Sequence, residues 1–382
     1  MRKTINIGDL GTIITGKTPP TTNKNYYGDY AVFIKPTDIS EQSKYTYETE
    51  EMYSKLAAEK YESSLIPKGA ICVPCIGTIG TKMTMTPCDC YTNQSINSII
   101  CNENYDNEYV YYLIKNFLPG LKAYNLGTAS GREYVSKSNF EKIELVAEQD
   151  KEIQKKIGVI LSRYDSLIEN YQKQIKLLEE ATQRLYKEWF VDLRFPGHEN
   201  TKIVDGVPEG WTPSQLGQLV EFKRGKTITK KDVIDGDIPV VAGGLEPAYY
   251  CNKSNTAERV ITVSGSGANA GFTRMYFEKV WASDCSFVDA SVTPFLHFVY
   301  CYLKDNKTTI DNMQKGAAQP HVYAKDINSM ELCIPIESVI KSFERTASKY
   351  FDTISSLQYQ IRLITEARDR LLPKLMSGEI TV

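Results

Sequence analysis

The chain has 382 residues, 42% of them hydrophobic and 24% charged, with a formal net charge of −2. This length allows two domains plus connecting elements, and the composition is that of an ordinary globular protein without a global attraction for nucleic acid. No apolar run approaches the roughly 20 residues that cross a bilayer, and Arg2 and Lys3 precede no apolar stretch, so a soluble, cytoplasmic protein with no membrane contact is expected.

Along the chain, the first motif is Gly11-Thr12-Ile13-Ile14-Thr15-Gly16-Lys17-Thr18, which satisfies the P-loop pattern GxxxxGK[ST]. A working P-loop needs a helix at the Lys-Thr whose amides hold phosphate. Here Pro19 and Pro20 follow at once, and a Pro-Pro pair reads as a loop, so nucleotide binding is not expected. Next come short alternating runs, YAVFIKP from Tyr30 and GAICVPCIG from Gly69, bounded by Gly, Pro, Asn and Asp as half-buried strands are. Cys72, Cys75, Cys88 and Cys90 have a zinc-like spacing, but strand alternation sends Cys72 and Cys75 to opposite faces, and no metal site is assigned. Nine cysteines, an odd number, indicate reduced thiols.

A long helix follows. Ile157, Leu161, Tyr164, Ile168, Tyr171, Ile175, Leu178, Leu185 and Trp189 alternate in steps of four and three, broken only by Thr182. This is the heptad seam of a coiled coil. After a polar linker, the runs ERVITVSGSG from Glu258 and GFTRMYFEKVW from Gly271 again read as strands, preceded by a basic cluster of Lys223, Arg224, Lys226, Lys230 and Lys231. A second seam closes the chain: Phe343, Ala347, Tyr350, Ile354, Leu357, Ile361, Ile364, Leu371 and Leu375, broken at Arg368.

The second half repeats the first. IGDLGTIITGKT from Ile7 returns as LGQLVEFKRGKT from Leu216 at an offset of 209, and YVYYLIKN from Tyr109 returns as FVYCYLKD from Phe298 at 189. Gly127, Ala129 and Tyr134 match Gly316, Ala318 and Tyr323, and QIKLLEEATQRL from Gln174 matches QIRLITEARDRL from Gln360 at 186. Four matches in one order identify an internal duplication. The expected fold is α+β: two β-rich domains separated by two long antiparallel helices forming a coiled coil, with an intermolecular coiled coil as the alternative. A helix over Asp150 to Phe190 would be a rod of roughly 60 Å, a ruler between two binding surfaces. The boundaries read as domain 1–147, helix 148–192, linker 193–212, domain 213–336 and helix 337–378.

Catalytic groups are scarce. His198, His297 and His321 sit in no metalloprotease or nucleophile motif, and no dinucleotide fingerprint or flipped-base tetrapeptide is present. Glu179 and Glu180 read as a solvated helix face. No catalytic residue is assigned.

RFPGHENTKIVDGVPEGWTPSQLGQL (Arg194 to Leu219) and RDRLLPKLMSGEI (Arg368 to Ile380) resemble the inter-repeat linker and the ending of specificity subunits of type I restriction–modification systems. Glu148 and Gln149 resemble the EQ opening that family's helix, and GKTP at Gly16 to Pro19 resembles a G-x-TP early in its target-recognition domains. The second copy departs, with Ile228 where that proline would be and Pro335-Ile336-Glu337-Ser338 opening its helix. The resemblance implies two target-recognition domains, each reading half of a bipartite site on double-stranded DNA. It implies a helical pair that docks two methyltransferase subunits, and restriction/translocase subunits in the full complex. S-adenosylmethionine, ATP and magnesium are expected on those partners and none in this chain. Candidate DNA contacts, chosen by residue type, are Lys17, Thr18, Lys35, Thr78 and Lys82 in the first domain, and Arg224, Lys226, Ser266, Asn269 and Gln319 in the second. Local turn capping competes with base contact at each Ser, Thr, Asn and Gln. A coiled-coil adaptor without DNA and an NTPase built on Gly11 to Thr18 are the competing functions.

Overall fold

The computed structural model describes residues 2–127, 133–316 and 320–382. It divides into two compact units, Met1–Tyr171 with Gln360–Val382, and Gln172–Tyr359.

In unit one, β1 (Arg2–Asn6) leads to β2 (Gly11–Thr15), β3 (Tyr27–Ile34), β4 (Met52–Tyr53), α1 (Lys55–Lys60), β5 (Ile71–Pro74), β6 (Thr84–Met85), β7 (Tyr91–Thr92) and β8 (Ile96–Cys101). Then follow α2 (Asn107–Phe117), α3 (Lys137–Glu141), β9 (Glu144–Glu148) and the long helix α4 (Lys151–Tyr186). The main sheet has the order β2-β8-β5-β6, a second has β4-β3-β7, and β1 pairs antiparallel with β9. Alternation along the main sheet splits its side chains. Ile13, Ile71, Val73 and Ile99 face a core shared with α2, while Cys72 and Ile96 face the β3 side.

Unit two repeats this plan. After β10 (Ile203–Val204) and β11 (Val207–Pro208) come β12 (Thr212–Gln215), α5 (Leu216–Leu219), β13 (Lys223–Arg224), β14 (Ile238–Val241), β15 (Tyr249–Cys251), β16 (Val260–Ser264), β17 (Thr273–Tyr276), β18 (Trp281–Ala282) and β19 (Cys285–Asp289). The rest is α6 (Leu296–Asp305), α7 (Lys307–Asn312), α8 (Ala324–Asn328), β20 (Glu331–Ile334) and α9 (Glu337–Ser377). The sheets are β13-β19-β16-β17 and β15-β14-β18, and β12 pairs with β20. Strand for strand, this is the order of unit one. The duplication and the α+β reading hold.

The helices α2 and α6 are additions to the sequence reading. They arise from YVYYLIKN and its copy, apolar on nearly every side because sheet and long helices enclose them; Tyr109 to Ile114 are all buried. Asp106 caps α2, its carboxylate accepting from the Tyr109 amide at 3.0 Å.

Each unit completes its core with segments of both long helices. In unit one Ile157 and Leu161 of α4 share a cluster with Leu372, Leu375 and Met376 of α9. In unit two Tyr186 shares one with Ile340, Phe343, Ala347, Phe351 and Ile354. Early α4 thus meets late α9 in one unit, and late α4 meets early α9 in the other, as antiparallel helices do. Ile168 and Leu357 are also buried, whereas Tyr164, Tyr171, Ile175, Leu178, Leu185, Tyr350, Ile361, Ile364 and Leu371 are half-buried. The buried stripe is broader than a two-position seam because globular elements cover the helix flanks. It takes in Phe351, Leu372 and Met376, which steps of four and three pass over.

The linker motif has a packing role. Trp211 of the PEGW turn is buried with Phe195 and Val339, its ring 5.1 Å from that of Phe195. At the opening of α4, Glu148 is buried and its carboxylate accepts from the amides of Gln149 at 2.9 Å and Asp150 at 3.1 Å. Those amides lie just ahead of Lys151, beside the N-terminus of α4, where negative charge is favoured. At the far end of α9, Arg2 donates to the carbonyls of Met376 and Leu375, both at 2.9 Å, closing the helix from β1.

Burial works against the Glu148 charge, but the hydrogen bonds the carboxylate accepts, those from the amides of Asp150 and Gln149 among them, hold the pKa below its ordinary 4.5. A lowered folded-state pKa adds stability above the unfolded value, and the gain is lost as pH falls through the folded one. Glu148→Gln is therefore expected to lower Tm at neutral pH, with the gap to the parent narrowing below about pH 4. A gap independent of pH would assign Glu148 a role in shape alone.

Candidate nucleic-acid interface

The P-loop-like string is a strand and a tight junction. Residues Gly11–Thr15 form β2, and Gly16 donates to the Ile96 carbonyl at 3.2 Å and Lys17 to that of Thr92 at 2.9 Å. The amides that would cradle a phosphate are spent on neighbouring strands, and no helix begins at Lys17. A side chain at Gly16 would collide with the carbonyl oxygens of Thr92 and Asn93. The copy behaves alike: Gly225 donates to Cys285 at 2.8 Å, Lys226 to Ala282 at 2.9 Å, and a side chain at Gly225 would strike the Ser283 and Ala282 carbonyls. The Lys17 carbonyl accepts from the Tyr53 hydroxyl at 2.6 Å, and the Lys226 carbonyl from the Trp281 indole at 2.7 Å. The GKT repeat is thus a backbone requirement met twice.

Around this junction the two units carry different side chains. In unit one Lys17 is exposed and the Thr18 hydroxyl bonds to Gln94, in the turn between β7 and β8. The adjoining β5–β6 loop is tied in by the Cys75 amide to Ser95 at 2.7 Å and by the Gly77 amide to Glu133 at 2.9 Å. That loop carries Thr78, exposed, and Lys82, half-buried. Lys35 lies apart, with its ammonium bridging Glu50 at 2.7 Å and Glu51 at 3.2 Å. Burial opposes that charge, yet the two carboxylates raise the Lys35 pKa.

In unit two Arg224 and Ser266 converge on Asp284 in the β18–β19 turn: the guanidinium pairs with one carboxylate oxygen and the hydroxyl with the other. Lys226 is exposed two residues on, and Asn269 is half-buried on the β16–β17 loop. That loop is held by the Gly267 amide to Pro320 at 3.0 Å. Gln319 lies outside the described residues. Each unit therefore gathers the β2 or β13 end, one turn and one loop into a single surface. Residue type did not pick out Gln94 or Asp284. Their turns, TNQS and ASDC, share no pattern, and the shared offset of 190 shows only once the strands are aligned.

Among the described residues no group of three or more His, Cys, Asp or Glu is placed to hold a metal ion. Cys72 contacts the Ser98 hydroxyl at 3.3 Å on one sheet face, and Cys75 belongs to the core on the other. No described helix is long and apolar enough to cross a membrane.

Two outcomes follow. Gly16→Ala should displace the end of β2 and destabilise unit one by about 1–3 kcal/mol, with faster hydrogen exchange at the Lys17 amide. An unchanged Tm would refute the close-approach account. Burial pushes the Cys72, Cys75 and Cys285 thiols up to about 12, while Cys88 is exposed. At about pH 8 a thiol reagent should therefore label Cys88 rapidly and those three only on unfolding.

A family model described as the type I restriction modification DNA specificity domain matches residues 2–180 and 208–369. The chain is 27% identical to the type I restriction enzyme MjaIX specificity subunit of Methanocaldococcus jannaschii, over 98% of this chain and 93% of that one. It is 38% identical to the HindI specificity subunit of Haemophilus influenzae over 41% of this chain and 35% of that one. The type I restriction–modification S subunit of M. genitalium shares the fold, with a TM-score of 0.57 at 16% identity, covering 98% of this chain and 96% of that one. Matched twice and over most of its length, in step with its internal duplication, the chain belongs to the family of type I restriction modification DNA specificity proteins.

Proposed function

We propose that this chain reads a bipartite double-stranded DNA site for a type I complex and performs no chemistry itself. Each unit would read one half-site. The long helices would hold the half-sites at a fixed spacing and dock two methyltransferase subunits, with restriction/translocase subunits joining for cleavage. S-adenosylmethionine, ATP and magnesium would be bound by those partners, in the cytoplasm.

The observation that carries this reading is one scaffold with two chemistries. The same junction presents Lys17, Thr18 and Gln94 in one unit, and Arg224, Lys226, Ser266 and Asp284 in the other. Exposed lysines suit phosphates, while Arg, Asn, Gln and Asp suit base edges. Two readers with unlike side chains on one framework are what an asymmetric bipartite site requires. Lys17, Thr18, Thr78 and Lys82 are the contacts proposed for the first half-site, and Arg224, Lys226, Ser266 and Asn269 for the second. Lys35 and Gln319 complete the set, Lys35 only if its two glutamates release it.

Co-expression with a cognate methyltransferase in a host lacking adenine methylation, followed by mapping of N6-methyladenine, tests the reading. Two short half-sites around a fixed gap are expected, and exchanging residues 1–147 for another such domain should change one half-site only. Lys226→Ala should weaken DNA binding evenly across sequences and reduce the salt slope by about 1. The net charge of −2 favours a second reading, an adaptor without DNA. DNA retention by the assembled complex that ignores salt, or no methylation from an active complex, would move that reading to the front.

A further inference from the structure

The repeat contains its own control at the place where the two long helices meet. In unit one the carboxylate of Asp165, on α4, is buried and accepts from two partners, the Arg368 guanidinium on α9 and the Tyr112 hydroxyl on α2. Arg368 also pairs with Asp369 at 2.8 Å. The same three positions in unit two, found by the repeat offsets, are Thr182, Phe351 and Cys301. All three are buried, at 1%, 2% and 1% exposure, and none is charged. Thr182 meets its own need by donating to the Leu178 carbonyl one turn back, at 2.8 Å. One copy thus buries an ion pair with a tyrosine where the other buries an aromatic ring, a threonine and a thiol.

We infer that the Asp165–Arg368–Tyr112 cluster is a pairing filter: it admits α9 as the partner of α4 and rejects the α4 of a second copy of this chain. The two helices descend from one sequence and carry like seams, so each could in principle pair with its own kind. Position by position, α4 carries Asp165 and Thr182 where α9 carries Phe351 and Arg368. In an antiparallel α4–α4′ pair of the same register, each Asp165 would face a threonine. In an α9–α9′ pair, each Arg368 would face a phenylalanine. An α4–α4′ pair takes both Asp165 carboxylates away from Arg368, and an α9–α9′ pair leaves each Arg368 only its half-exposed neighbour Asp369, whereas α4 with α9 buries one matched pair and one apolar set. An uncompensated buried charge costs far more than a matched pair gains, so the filter acts chiefly against the wrong partner. A polar residue in a helical seam is known to specify partner and register in this way. Two such charges correspond to a preference of on the order of a thousandfold or more. The cluster includes none of the residues proposed to contact DNA, and the inference stands whether or not those residues do.

The test uses the full chain. One variant, Tyr112→Cys with Asp165→Phe and Arg368→Thr, gives unit one the residues of unit two. A second, Asp165→Asn with Arg368→Gln, removes both charges with little change of shape. Light and heavy isotope-labelled chains are mixed during refolding, cross-linked through lysines, and compared at equal concentration by sedimentation velocity. An α4–α4′ pair in this register brings Lys173 beside its own copy, so a light–heavy Lys173–Lys173′ link is diagnostic. The parent should be free of that link, and each folded charge-free variant should show it, with a dimer fraction at least about tenfold higher. The inference is overturned if a folded charge-free variant stays as free of the link as the parent, or if the parent already forms it. Failure of both variants to fold would also overturn it, because the cluster would then be needed for the fold itself.

Discussion

Neither β-rich part encloses its core alone, and the rest of the structure follows from that. In each unit one face of the main sheet and its helix, α2 or α6, are covered by segments of the two long helices. The helices in turn bury a stripe broader than a two-position seam, because they face the globular elements as well as each other. Sheet, short helix and long helices therefore form as one object in each unit, and burial of this shared apolar surface is the dominant favourable term. The polar devices at the ends of the helices, Glu148 under α4 and Arg2 over the end of α9, adjust an arrangement that packing has already selected.

The duplication made much of this legible in the sequence. Heptad spacing located both long helices, and alternation located β3, β5, β16 and β17, because each signal has a period fixed by backbone geometry. The false P-loop was recognisable from Pro19 and Pro20, and the structure adds why Gly16 and Gly225 recur: carbonyl oxygens occupy the space a side chain would need. The helices α2 and α6 were missed because a short apolar run has no readable period when it is buried on all sides. Arg368 looked like a break in a seam, since its counter-ion Asp165 lies 203 positions away.

The reading surface was the least legible part, for a physical reason. Residue types that suit DNA are the same types that cap turns and form local pairs. The structure separates some of these uses: Lys35 is committed to two glutamates, while Arg224 and Ser266 share one aspartate. Gln94 and Asp284 entered only through three-dimensional adjacency. The framework beneath them has the same strand order in the two units, so change concentrated in a few turn and loop positions can leave the cores untouched.

The two units also differ in how they can be observed. Trp189, Trp211 and Trp281 all belong to unit two, two of them packed against Phe190 and Phe343 or Phe195 and one over the Lys226 carbonyl. Unit one carries tyrosine but no tryptophan. Indole emission is therefore a built-in reporter of unit two alone. A denaturation profile followed by tryptophan fluorescence is blind to the other half of the molecule, and its divergence from a helicity profile would resolve whether the halves melt together or in turn.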